Sequence, residues 1–359
     1  MSISPGLLPI GIELEGGEPA VLNAARFNRH TFWCGQSGSG KTYALGVVLE
    51  QLLAHTGLPM VIFDPNADFV RLGEVRSDAP KDAAAPLRER DIRVLRAGDT
   101  LRVRFQALPV RIKAALLSID PLRDREEYRV MLDLAESLRR SHPQEVVADL
   151  LSSEDSAQRA LGLRIANLGV LDWDMWAYDR QSASEVIAER PDATVLDIGG
   201  YEHADQSLLV ALSVLDDLWQ RREERRPVLL VIDEAHNLAS GELDSPLGQA
   251  VREQLIRIAA EGRKYGLWLL LSTQRPSKVH PGIISQCDNL ALMKMSSPLD
   301  LQELAAVFGF APDALLARSP LFAQGQALFA GGFIAQPELV QMGARLTHEG
   351  GSDVRVPLR

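Results

Sequence analysis

Apolar residues follow two rhythms along this chain. Continuous apolar runs occur at 58–64 (LPMVIFD), 193–198 (ATVLDI), 227–233 (PVLLVID), 267–273 (LWLLLST) and 289–295 (NLALMKM). A shorter one, His30 to Cys34, leads into a Gly-rich loop. Between several of these runs, residues 43–55 (YALGVVLEQLLAH), 204–222 and 247–262 repeat their apolar positions at helical spacing. Strands without alternation are buried on both faces, and helices between them supply the cover, so the pattern predicts an α/β fold with a mostly parallel central sheet.

From 109 to 188 the rhythm is helical and richly charged, as in DREEYRVMLDLAESLRR, with no strong strand. This stretch reads as an inserted helical subdomain between a first half of the sheet domain (1–108) and a second half (189–340), with 341–359 as a C-terminal tail. After 318 the chain turns to short, Gly-rich segments (GQALFAGGFIAQPELV) that suit antiparallel strands. The insertion is either a lid packed on the core or a partner-binding module. Trp173 and Trp176 within it are either core residues or an aromatic platform.

Composition narrows the class. Of the 359 residues, 46% are hydrophobic and 24% charged, as in soluble globular proteins. Lys and Arg number 38 against 48 Asp and Glu, a net charge of −10, which gives no support to a protein that coats nucleic acid. That balance leaves room for a local groove or pore. Cys34 and Cys287 sit in or beside apolar runs and read as buried free thiols. No segment approaches the ~18 apolar residues of a membrane span, and the N-terminus lacks a basic leader, so a cytoplasmic protein with no membrane role is expected.

The chemistry begins at TFWCGQSGSGKTYALG, residues 31–46. Gly35, Gly40, Lys41 and Thr42 match the phosphate-binding P-loop, with the required strand before and helix after. Backbone N–H groups of Gly35, Gln36, Ser37, Gly38, Ser39 and Gly40 would curl around phosphate oxygens at the positive end of the helix, with Tyr43 following. Lys41 would reach the β- and γ-phosphates, and the Thr42 hydroxyl would ligate Mg²⁺. PVLLVIDEAHN delivers Asp233 as a Mg²⁺ partner, either direct or through a water, and Glu234 to polarise an attacking water. LWLLLSTQRPS ends in an amide, and Gln274 is the candidate γ-phosphate sensor. Arg275 is an open case between sensor and surface pair. His236 reads as surface decoration rather than a catalytic group.

These stretches, together with VIFDPNADF, EGRKYGLWLLLSTQRPS and IISQCDNLALMK, occur in the order and spacing of the HerA-like ATPases, within the wider HerA/FtsK group. The resemblance covers roughly residues 10–75 and 190–340. It implies a RecA-like P-loop NTPase domain using ATP and Mg²⁺, hexameric rings with nucleotide between subunits, and double-stranded DNA in a central channel. It also implies that Arg263, in the GRK turn, is a finger for the neighbouring subunit's ATP; the other reading is a basic pair capping a helix end.

Two features depart from the family pattern. Only 34 residues precede Gly35, too few for the small β-barrel common in HerA-like proteins. The net charge is acidic, and the densest basic run, WQRREERRP at 219–227, suits a solvated helix end; Lys278, His280 and Lys294 are the other pore candidates. The leading expectation is therefore an ATP-driven DNA translocase or helicase, with a nuclease or effector partner in repair or antiphage defence. A nucleotide-dependent scaffold that switches a partner without DNA is the alternative, and a secretion or conjugation motor is the third.

Overall fold

A computed structural model describes residues 6–134 and 143–351. The helical reading of 135–140 and that of the tail from 352 onward lie outside the described residues. The framework is one eleven-stranded sheet in the order β2-β1-β11-β10-β9-β3-β8-β7-β4-β6-β5. In chain order the strands are β1 (Leu7–Glu13), β2 (Pro19–Asn23), β3 (His30–Cys34), β4 (Met60–Asp64), β5 (Ile92–Arg96), β6 (Ala193–Asp197), β7 (Val228–Ile232), β8 (Leu267–Thr273), β9 (Cys287–Met293), β10 (Gln326–Gly331) and β11 (Glu338–Met342). From β9 through β5 all pairings are parallel, while β10, β11, β1 and β2 extend the sheet antiparallel at one edge. The domain is thus the mostly parallel α/β sheet that the apolar runs predict.

Period-two alternation divides the central strands between two cores. Val61 and Phe63 of β4, Leu230 and Ile232 of β7, and Leu269 and Leu271 of β8 enter one apolar cluster, with Leu215 and Val251 from the helices Ala204–Gln220 and Pro246–Glu261. Ile62, Val231 and Leu270 enter the other, packed on helix α1 (Lys41–His55) through Leu45, Val48 and Leu52. Burial on both faces is why these strands are continuously apolar. The stretch between Val110 and Ala188 contributes Ile112, Met131, Leu161 and Val186 from its helices and Trp176 from a loop to the first cluster, so it shares its core with the sheet. The division expected after residue 340 falls inside β11, and residues 343–351 continue across α1: Arg345 and Thr347 are buried, and Leu346 N and Thr347 N donate to Glu50 of α1.

Candidate nucleotide site

Parallel strands bring their carboxyl ends to one edge of the sheet, where ligands of open α/β folds sit. Here the alternation that buries Ile62, Val231 and Leu270 beneath α1 turns Asp64, Asp233 and Ser272, two residues further on, to the same face. Lys41, the first residue of α1, meets them there.

The loop from Gly35 to Gly40 has a backbone only glycine adopts freely: Gly38 and Gly40 have φ of 77° and 84°. Gly35 is needed for space, since a Cβ there would lie 2.8 Å from both Met293 Cβ and Ser39 Oγ. The loop is tied to its surroundings by Gln36 N donating to Lys294 O and by Gly325 N donating to Ser39 O. Gln36, Ser37, Gly38, Thr42, Tyr43 and Gln274 face a cavity of about 560 Å³, within the range of small-molecule sites. Gly35 and Ser39 lie buried beneath the loop rather than on the cavity wall.

Lys41 Nζ donates to Asp233 Oδ1 (2.9 Å) and Ser272 Oγ (2.8 Å), and it lies 3.3 Å from Glu234 Oε1. Ser272 Oγ donates in turn to Asp233 Oδ1 at 2.6 Å. Burial pulls the Lys41 pKa down, but the adjacent Asp233 and Glu234 more than offset it, and the net direction is upward. Lys41 is therefore a buried cation held between two acids. Glu234 has a left-handed backbone (φ 44°), costly for a residue with a side chain, which fixes its carboxylate at the strand's end. Gln274 Nε2 donates to Glu234 Oε1 at 2.6 Å, and Gln274 N lies 3.3 Å from Oε2. His236 Nδ1 is 3.1 Å from Thr273 Oγ1 and 3.3 Å from Glu234 Oε2; burial lowers its pKa, keeping the ring neutral near pH 7.

The arrangement can grip a polyphosphate through backbone N–H groups and Lys41, while Glu234, steadied by Gln274, can take up a water proton. It also suits a hard cation. Asp233 is 1% exposed, yet its Oδ2 has no hydrogen-bond partner, and Thr42, in the first turn of α1, lines the cavity with a hydroxyl to offer.

Lys41, Thr42, Asp233, Glu234 and Gln274 converge; Arg263 does not. It sits before β8, at the opposite end of that strand from Gln274, which places it roughly 20 Å from the loop. There it is ion-paired with Asp288. Trp176 is core, with Nε1 donating to Val170 O, and Trp173 stacks between it and His203. In the basic run, Arg222 stacks on Trp219, while Arg221 and Arg226 pair with Asp217 and Glu224. Lys278 pairs with Glu242.

Sequence reasoning missed Asp64 and Asp68 beside Asp233, and it missed Gln324, Gln341 and Glu349, which reach the cavity from the turn before β10, from β11 and from the segment after β11. For Asp64 the signal was present: like Asp233, it ends an apolar run.

Residues 9–216 match the family described as "Helicase HerA, central domain". The DNA double-strand break repair helicase HerA of Saccharolobus solfataricus is 22% identical over 356 residues, covering 94% of this chain and 68% of that protein. A probable helicase of Methanocaldococcus jannaschii is 30% identical over 130 residues, which span 36% of this chain but only 24% of that relative. Among solved structures, VirB4 of Thermoanaerobacter pseudethanolicus is 15% identical with a TM-score of 0.63, covering 96% of this chain and 98% of that one. The bacterial conjugative coupling protein TrwB is 14% identical with a TM-score of 0.59, covering 95% and 89%. At these identities the structural likeness establishes the fold, that of a P-loop NTPase.

Proposed function

This chain belongs to the HerA central-domain family, and from that premise we propose that it is an ATP-hydrolysing motor that assembles as a hexameric ring and moves or remodels double-stranded DNA. The buried Lys41–Asp233–Glu234 arrangement, steadied by Gln274, is the observation that carries the reading. It supplies a cation for the phosphates and a carboxylate for the attacking water. Mg²⁺, held by Thr42 and Asp233, would neutralise charge between the β- and γ-phosphates. Arg263 is directed away from its own loop and is assigned to a neighbouring subunit's nucleotide. Such an arginine speeds phosphoryl transfer by neutralising charge developing on the γ-phosphate. A nuclease or effector working with the ring in repair or antiphage defence belongs to the same proposal.

The test is steady-state hydrolysis with and without linear duplex DNA, with molar mass determined on the same samples. Several-fold stimulation by duplex in a ring-sized species supports the motor. A ring that hydrolyses ATP at the same rate with and without duplex rejects DNA translocation by this chain and leaves the scaffold, which the net charge of −10 favours.

A further inference from the structure

β4 and β7 are hydrogen-bonded neighbours with Phe63 beside Ile232, so the two apolar strands finish side by side in Asp64 and Asp233. Asp68 N and Phe69 N donate to separate oxygens of Asp64, at 3.0 and 2.8 Å. Those bonds close the turn after β4 and bring Asp68 back over it. One carboxylate oxygen from each of Asp64, Asp68 and Asp233 consequently lies within 4.8 Å of the others.

Three acids close together are often only a solvated patch. Here Asp64 and Asp233 are 0% and 1% exposed, and Asp233 Oδ2 is buried with no hydrogen-bond partner. A buried unpartnered anionic oxygen is costly, and nothing in the packing requires one. Among the described residues, no Lys, Arg or His pairs with Asp64 or Asp68; Lys41 is taken by Asp233 Oδ1 and Glu234, and Arg345 by Glu50. Asp68 also lines the cavity that holds the P-loop, so the group opens toward any polyphosphate there.

We propose that Asp64, Asp68 and Asp233 form a divalent-cation site that takes Mg²⁺ or Mn²⁺ without nucleotide, on the Oδ2 side of Asp233, opposite Lys41. All-oxygen, carboxylate-rich ligation selects such hard cations. Three carboxylates supply fewer ligands than the six that Mg²⁺ takes, which suits an ion that keeps several of its waters. The site stands on its own geometry; its use in supplying the metal for hydrolysis rests on the nucleotide reading above.

The test is a Mn²⁺ titration of the full chain at pH 8, followed by electron paramagnetic resonance with no nucleotide present. One Mn²⁺ per chain is expected, displaced by Mg²⁺. Asp68→Asn and Asp64→Asn should each weaken it at least tenfold, Asp233→Asn should remove it, and Asp197→Asn, beside Asp64 but outside the trio, should leave it unchanged. Thermal unfolding provides a second reading, since Mn²⁺ should raise the Tm of the parent chain and not that of Asp68→Asn. Absence of Mn²⁺ binding by the parent chain overturns the proposal, as does parental affinity in Asp68→Asn. Binding of a fluorescent ATP analogue in EDTA separates the two readings. Mn²⁺ bound with no analogue binding sinks the nucleotide reading alone, whereas analogue bound with no Mn²⁺ uptake sinks the cation site alone.

Discussion

The two ends of the parallel strands handle charge in opposite ways. At the carboxyl end, Lys41, Asp64, Asp233 and Glu234 are all buried, and the acids outnumber the single ammonium that bridges two of them. At the amino end, Arg263 and Arg29 share the half-exposed Asp288, and Arg222 lies over Trp219 and Tyr265. Buried, unbalanced charge is expensive and persists where chemistry uses it; exposed, paired charge contributes little to stability and is easily traded for another partner. On the function proposed above, one end would serve reaction within the subunit and the other contact between subunits.

Removing the bridge should break this contrast most severely. Lys41→Ala should abolish hydrolysis and, by leaving Asp233 and Glu234 buried without a cation, cost about 3–5 kcal/mol in urea unfolding. Adding Asp233→Asn should recover part of the stability and none of the activity. Parental stability in Lys41→Ala would mean that the carboxyl end is no more strained than the amino end.

Arg263→Ala should do the reverse. Its unfolding free energy in urea should stay within about 1 kcal/mol of the parent's, because the lost pair is exposed, while turnover of the assembled protein falls by about a thousandfold or more. Mixing it with Glu234→Gln subunits should restore some activity, since a shared site would find an intact acid on one subunit and an intact arginine on the next. Failure of the mixture to recover any activity, with rings shown to exchange subunits, would return Arg263 to a capping role.

Glu234→Gln by itself should lower turnover about a hundredfold or more while nucleotide still binds, measured by single-turnover hydrolysis beside analogue binding. Binding lost along with turnover would show that Glu234 holds the loop rather than the water.

The smallest effect is a pH dependence at the amino end. His30 is fully buried; its Nε2 donates to Ala259 O and its Nδ1 accepts from Leu269 N, which requires the neutral ring. Burial first, then nearby Arg263, depresses its pKa to about 4, with Asp288 pulling the other way and Arg29 adding to the depression. The unfolded chain binds the proton more readily, so stability present above pH 6.5 should fall as pH drops towards 4, by about 3 kcal/mol at most. Urea midpoints across that range should be flatter in His30→Gln. In Arg263→Ala, where a repelling charge is removed, the folded-state pKa of His30 should rise, so the loss should still begin near pH 6.5 but finish at a higher pH and be smaller; a loss as large as the parent's would show that Arg263 does not act on His30.

How far the sequence discloses this molecule follows from how local each signal is. Strands β4, β6, β7, β8 and β9 are apolar on both faces and declare themselves. β5 (IRVLR) does not, because it is an edge strand carrying two arginines; β1 (LLPIGIE) is broken up by Pro9 and Gly11, and β2 is five residues long. The P-loop and the acids after β7 are local patterns and were readable, as was the amide of Gln274. Asp64 carried the same mark as Asp233, but Asp68 joins it only through backbone bonds in a turn. Gln324, Gln341 and Glu349 reach the cavity from a turn, a strand and a strap more than 280 residues downstream of the loop in sequence, a juxtaposition only the sheet order reveals.

That strap sets a timetable for folding. The carboxylate of Glu50, on the helix that begins at the phosphate loop, is satisfied by Leu346 and Thr347, 296 and 297 positions later. Contacts of such long sequence separation close late, and on a ribosome they wait until Leu346 and Thr347 have emerged. The helix written first is therefore among the last to be completed, and a partly synthesised chain would carry the phosphate-binding sequence before the structure that steadies it.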